Sequence, residues 1–259
     1  MPQQLPRRFI VPAASTIVAL VAAALSISSA AATTHASPAR AATTFLVIEA
    51  VVVAVAIPLL QSSLGAEVRG LAHRAFAVGS CLSLAVACLV LSRWAATLPW
   101  ATLTPCQLIL VAFAALLWAL GAAARTLGAT PPWPQLIASA VGLAMVGDVF
   151  FANPIIETVG PGLRLAAVAF ALWANPWLAA AGSILEADPV RTAALYRFSV
   201  IPEYAFRYPA ASLSHPAARA VAIAGTYLAC ACAVWLVASG LARLSAIRQR
   251  RLNSIPASD

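Results

Sequence analysis

Hydrophobic residues in this chain come in long blocks, not in alternation. Apolar blocks at about 9–29, 44–63, 75–92, 106–124, 135–152, 163–185 and 220–242 are separated by short polar, proline-rich or glycine-rich connections. Each block is near the ~20 residues that an α-helix needs to cross a ~30 Å hydrocarbon core. Ala and Leu fill the blocks, whereas Gly and Pro gather between them. A transmembrane β-barrel would show alternating runs of about 10 residues instead. The pattern predicts an all-α, polytopic transmembrane helix bundle of six to seven membrane segments, forming a single integral membrane domain over 1–259. Trp94, Trp100 and Trp133 fall in the connections, where interfacial Trp belongs.

Composition strengthens this picture. The chain is 62% hydrophobic and only 9% charged, against about 25% charged residues in a soluble domain. With a mean hydropathy of +0.90, it lacks the polar surface to face water, so its first partner is the lipid bilayer.

The net charge of +8 comes entirely from Arg, because the sequence has no Lys. Most of these Arg sit between and after apolar blocks, as topology signals and headgroup contacts do; nucleic acid is not an expected partner. Absence of Lys also excludes a retinal Schiff base and a Walker A nucleotide site. His35, His73 and His215 lie in connections, away from any mid-membrane haem. No HExxH helix or GxSxG turn is present. Cys81, Cys88, Cys106, Cys230 and Cys232 lie in or beside apolar blocks, with no zinc spacing, and read as small buried hydrophobes. No cofactor, metal or catalytic residue is expected.

Two departures from the pattern matter. The tripeptide Ala-Asn-Pro occurs at 152–154 and again at 174–176. Pro removes an N–H and clashes with the carbonyl four residues back, so Pro154 is expected to stop one helix and Pro176 to interrupt 163–185 at mid-depth. Gly160-Pro161-Gly162 turns the chain between them. Block 163–185 therefore reads either as a re-entrant element broken at Asn175-Pro176 or as a Pro-kinked span. Parity favours the first. Arg243, Arg248, Arg250 and Arg251 follow the last block, so the basic tail 243–259 belongs in the cytoplasm, and Arg7 and Arg8 put the N-terminus there as well. Both ends inside requires an even number of crossings. Block 9–29 reads as an uncleaved first helix, with a signal peptide as the alternative.

Between the last two blocks lies a polar stretch, 186–218. Asp188-Pro189 suits a helix start for 189–200. Arg191, Tyr196, Arg197, Tyr204, Arg207 and Tyr208 mix aromatic and basic side chains as an interfacial segment does, and offer a partner surface as the sharper alternative.

Ionisable and polar groups inside membrane blocks mark functional paths, because they are costly in lipid. Glu49 and Asp148 are such groups, unless headgroup water solvates them. With Asn153 and Asn175 they form the candidate transport path. Ala138 and Gly142, like Gly79, Ser83 and Ala87, make small-residue stripes that let helices approach closely.

"GAEVRGLAHRAF" at 65–76 joins the second and third blocks and suits a short amphipathic cytoplasmic helix. A chain with both ends inside, a cytoplasmic helix between spans two and three, and a broken element before the last span looks like the permease subunit of an ABC-2-type exporter. The resemblance is one of architecture and covers most of the chain, although seven hydropathy peaks depart from that family's six spans. It implies a permease that oligomerises, in an inner (cytoplasmic) membrane of bacterial type, with a separate ATPase subunit docking at Glu67, Arg69, His73 and Arg74. Two other functions suit the sequence: a non-transporting membrane anchor or scaffold in a larger assembly, and a proton-coupled secondary carrier working through Glu49 or Asp148.

Overall fold

A computed structural model of the chain describes residues 38–63, 98–184 and 216–253. Among the described residues every regular element is an α-helix. They are α1 (Pro38–Ser63), α2 (Trp100–Thr126), α3 (Trp133–Val146), α4 (Asp148–Thr158), α5 (Pro161–Ala174), α6 (Pro176–Ala181) and α7 (Pro216–Asn253). Blocks 9–29 and 75–92, with Gly79, Ser83 and Ala87, lie outside the described residues.

α1, α2 and α7 are long and apolar enough to cross a membrane, and the bent pair α3–α4 makes a fourth candidate. Helices start where Pro sits at or before the first turn, at Pro38, Pro99, Pro132, Pro161, Pro176 and Pro216, since an early helical N–H has no partner to lose. α2 ends in a Schellman turn, with Gly128 N–H on Arg125 O and Ala129 N–H on Ala124 O, both at 3.0 Å. Gly128 takes a φ of 94° there, a conformation that a side chain resists.

α2 is the hub. It packs against α1, α3, α6 and, most extensively, α7. Pairings fix the directions. Glu49 meets Gln107, and Gln61 meets Trp118 further along, so α1 and α2 run the same way. Phe113 meets the ring of Tyr227 at 6.1 Å. Nearer the start of α2, Cys106 meets Ala180, and neighbouring Gly182 lies against Arg219 at the start of α7. α7 therefore also runs with α2. It outruns α2 by roughly 20 Å and carries Arg243, Arg248, Arg250 and Arg251 beyond the bundle.

α3 and α6 run the other way and share one groove. Gly142 of α3 lies against Ala54 and Leu117, towards the far ends of α1 and α2. α6 packs on the same two helices nearer their starts. At about 1.5 Å per residue, the 14 residues of α3 and the 6 of α6 rise about 30 Å between them, the thickness of a hydrocarbon core. Every residue of α6 is buried, and three of its six are Ala, which lets it lie close to its neighbours. α4 and α5 form a hairpin inserted between α3 and α6. Apolar side chains on it remain exposed: Phe151, Ile155, Leu163 and Phe170.

Block boundaries needed adjustment. α3 ends at Gly147, where the chain bends by 66°, and not at Asn153-Pro154. Pro154 lies inside α4 instead of stopping a helix. A single apolar block at 135–152 hid this break because Gly147 and Asp148 are too few polar positions to interrupt the hydropathy. The second break falls at Asn175, between α5 and α6. Cys106 is buried within α2, whereas Cys230 and Cys232 are exposed on α7, and all three are free thiols; Cys81 and Cys88 lie outside the described residues.

Gly142 is a sharp test of this packing. A Cβ there would stand 3.0 Å from both the Ala54 Cβ and a Leu117 methyl. Gly142→Leu should cost about 1–3 kcal/mol in reversible unfolding from detergent. Gly225→Leu, at a position with open space around it, should cost far less; equal losses would disprove the packing.

Candidate functional site

Two broken helices meet inside the bundle. At the first break Phe150 N–H turns to Gly147 O, 3.0 Å away, instead of to Val146 O as in a continuous helix. Val146 O is thereby freed in a buried place. At the second break Pro176 has no N–H for Leu172, and the next two amides leave the ladder. Trp177 N–H and Leu178 N–H donate to Asn175 Oδ1 at 3.1 and 3.2 Å. Asn175 is thus the N-cap of α6.

The other half of the Asn175 amide closes the first break. Nδ2 donates to Val146 O at 2.9 Å and to Asp148 Oδ1 at 2.8 Å. Two backbone donors fix which end of the amide is oxygen, so its orientation is not arbitrary. Trp177 Nε1 adds a second donor to Val146 O at 3.1 Å. Asp at position 175 would cap α6 as well, but would donate nothing to Val146 and would repel Asp148.

The carbonyls that Trp177 and Leu178 abandon are those of Trp173 and Ala174. Tyr227 of α7 supplies them: its hydroxyl lies 3.0 Å from each and shares one proton between the two. One Asn, one Tyr and one indole N–H therefore take up Val146 O, the Trp177 and Leu178 amides and the Trp173 and Ala174 carbonyls. Asn175 is fully buried, while Asp148 stays half-buried at the mouth of the break.

A second polar pair lies between α1 and α2. Gln107 Nε2 donates to Glu49 Oε2 at 2.8 Å, with both residues buried. Because α1 begins at Pro38 and not near 44, Glu49 lies about three turns into the helix, at the centre of its apolar span. Further along, Gln61 Nε2 donates to Trp118 O at 2.9 Å, and its side chain fills the space left by Gly121.

Of the four candidate path residues, the structure joins Asp148 and Asn175. Glu49 belongs to the separate α1–α2 pair, and Asn153 sits half-buried further along α4. Arg164 turns back on its own hairpin, donating to Val159 O and Glu157 O. Glu67, Arg69, His73 and Arg74, and Arg191, Tyr196, Arg197, Tyr204, Arg207 and Tyr208, lie outside the described residues. Gln107, Trp177 and Tyr227 were missed in the sequence. Each is a polar-tipped residue in an apolar block, and that signal points to interhelical hydrogen bonding. Among the described residues no group of three or more His, Cys, Asp or Glu is placed to hold a metal ion.

Compared with known proteins, the chain matches no family model, no curated protein and no solved structure.

The Asn175 network predicts an asymmetry between neighbours. Asn175→Leu leaves Trp177 N–H and Leu178 N–H without partners and Val146 O with the Trp177 indole as its donor, and should cost on the order of 3 kcal/mol. Pro176→Ala keeps the cap and should cost less than about 1 kcal/mol. Unfolding free energies of the two variants in detergent give the comparison.

Proposed function

We propose that this chain is the multi-pass permease subunit of a transport complex, of the ABC-type export kind, powered by a separate ATPase subunit. One observation carries the reading: two helix breaks are stitched together within the bundle, at Asn175, with a half-buried carboxylate beside them. Non-helical backbone in a membrane persists only where protein or a wet cavity surrounds it. Transporters use such discontinuous helices to place polar groups at mid-membrane and to let one segment move against the rest. Here α1, α2 and α7 form the fixed bundle. The α4–α5 hairpin enters at Gly147 and leaves at Asn175, so both of its attachments are break points. Asp148 and Asn175 line the path at the hinge.

Orientation supports the same reading. α1, α2 and α7 all finish at one end of the bundle, together with Arg125 and with Arg243, Arg248, Arg250 and Arg251 of the last helix. Arg40 and Arg219 mark the opposite end. The positive-inside rule puts the richer end in the cytoplasm. Ser63, the last described residue of α1, is at that end, and the proposed docking of a cytoplasmic ATPase through Glu67, Arg69, His73 and Arg74 calls for that side. α3 and α6 then make one crossing in two pieces, which brings the chain from 38 to 253 through an odd number of crossings. A crossing at 9–29 returns both termini to the cytoplasm.

The expected complex contains an ATP-hydrolysing subunit that co-purifies with this chain. Charge reversal at Arg69 and Arg74 should abolish its recovery, and an unchanged complex would refute the docking role. For orientation, a cysteine replacing Gly128 should react with a membrane-impermeant maleimide from the same side as one replacing Asn253. One replacing Ala217 should react from the other side. Labelling of all three from one side would refute the topology.

A further inference from the structure

The α4–α5 hairpin has apolar side chains inside and out. Val149, Ala152 and Ile156 of α4, and Val168 and Ala171 of α5, are buried. Phe151 and Ile155 lie four residues apart on α4, and Leu163 and Phe170 seven apart on α5, so each pair forms one stripe. All four are more than half exposed. A helix with apolar residues on both sides does not lie against water. Polar side chains gather at the two ends of the hairpin instead. Asp148 stands at the break, and Glu157, Thr158 and Arg164 stand at the tip, with Glu157 and Thr158 exposed.

The tip meets its own hydrogen-bonding needs. Val159 N–H bonds Ile155 O at 3.0 Å, and Leu163 N–H bonds Gly160 O at 2.9 Å. Thr158 Oγ1 donates to Pro154 O at 2.6 Å. Arg164 donates to Val159 O at 3.2 Å and to Glu157 O at 3.3 Å. Carbonyls of the turn are thus satisfied from within the hairpin, as backbone at membrane depth must be.

Depth follows from the bend. α4 leaves the axis of α3 by 66°. Of the roughly 16 Å length of its 11 residues, about 7 Å is therefore further rise and about 15 Å is sideways travel. α6, starting at the other break, rises about 9 Å to the end of the bundle opposite the arginine-rich tail. The tip thus comes nearly level with the end of α6, about 15 Å out from the breaks. Its carboxylate is within reach of the headgroups, while the stripes below it are at the depth of acyl chains.

We propose that the α4–α5 hairpin is immersed in a single leaflet, on the side where α6 ends. Phe151, Ile155, Leu163 and Phe170 contact acyl chains, and Glu157 reaches the headgroup layer. The partner of this surface is lipid, and the hairpin enters and leaves the same leaflet without crossing the other. The inference needs the bilayer but not the export reading, because it uses no ATPase and no transported substrate.

The full chain in phosphatidylcholine vesicles tests it, with its native cysteines changed to alanine and spin labels placed at Phe151→Cys, Phe170→Cys or Gly160→Cys. Labels at 151 and 170 should collide with oxygen several-fold more often than with a water-soluble nickel complex. At 160 the order should reverse, with nickel acting from the side that reaches a label at Ala217→Cys. Nickel access at 151 and 170 places the hairpin in water and overturns the proposal. Shielding from both reagents places it under protein, a second copy included, and overturns it equally. Wild-type chain supplies a measurement free of cysteine changes: a phospholipid carrying a diazirine midway along its acyl chain should label peptides from 149–174 on illumination. Absence of label there, with label present on α7, also overturns the proposal.

Discussion

Backbone polar groups cannot be left bare in lipid, and the described structure is organised around the place where that rule is hardest to meet. Two helices break inside the bundle, and each break frees amides or carbonyls that water cannot reach. The Asn175 side chain answers both at once, capping α6 with its oxygen and closing on Val146 and Asp148 with its nitrogen. Tyr227 takes up the two carbonyls on the far side. Without these groups the segment would have to be a continuous helix or leave the membrane.

Packing around the breaks follows from a second constraint. Lipid tails are as apolar as Leu, so burying Leu against Leu gains little; helices associate through close contact and a few hydrogen bonds. Gly142, Ala54 and the three Ala of α6 provide the close contact, and Glu49–Gln107 and Gln61–Trp118 provide the hydrogen bonds. α2 collects most of these interactions because its faces meet four other helices. The α4–α5 hairpin exposes large apolar side chains and joins the rest of the chain through its two break points.

Electrostatics orders the molecule along its long axis. Among the described residues, Arg crowds the end where α1, α2 and α7 finish, while Arg40 and Arg219 lie towards the other. Asp148 and Glu49, the acidic groups within the apolar segments, sit well inside, each held by an amide donor.

Composition and block length by themselves determined that the chain is helical and built for a bilayer, because too few charged residues are present to cover a surface and the blocks match a membrane's thickness. The Asn-Pro pair at 175–176 was also legible, since proline removes a donor wherever it stands. Its twin at 153–154 misled: Pro154 is accommodated inside α4, and the real interruption is at Gly147, which hydropathy passes over. Glu49 could be picked out as costly, but its depth depended on where α1 begins, and apolar Ala before residue 44 blurs that boundary. What only the tertiary structure decided was which residues meet. Asp148 and Asn175, Gln107 and Glu49, and Tyr227 and the Trp173 and Ala174 carbonyls are distant in sequence. Their pairing follows from helix directions and from α3 and α6 sharing one groove, and neither is written in local periodicity.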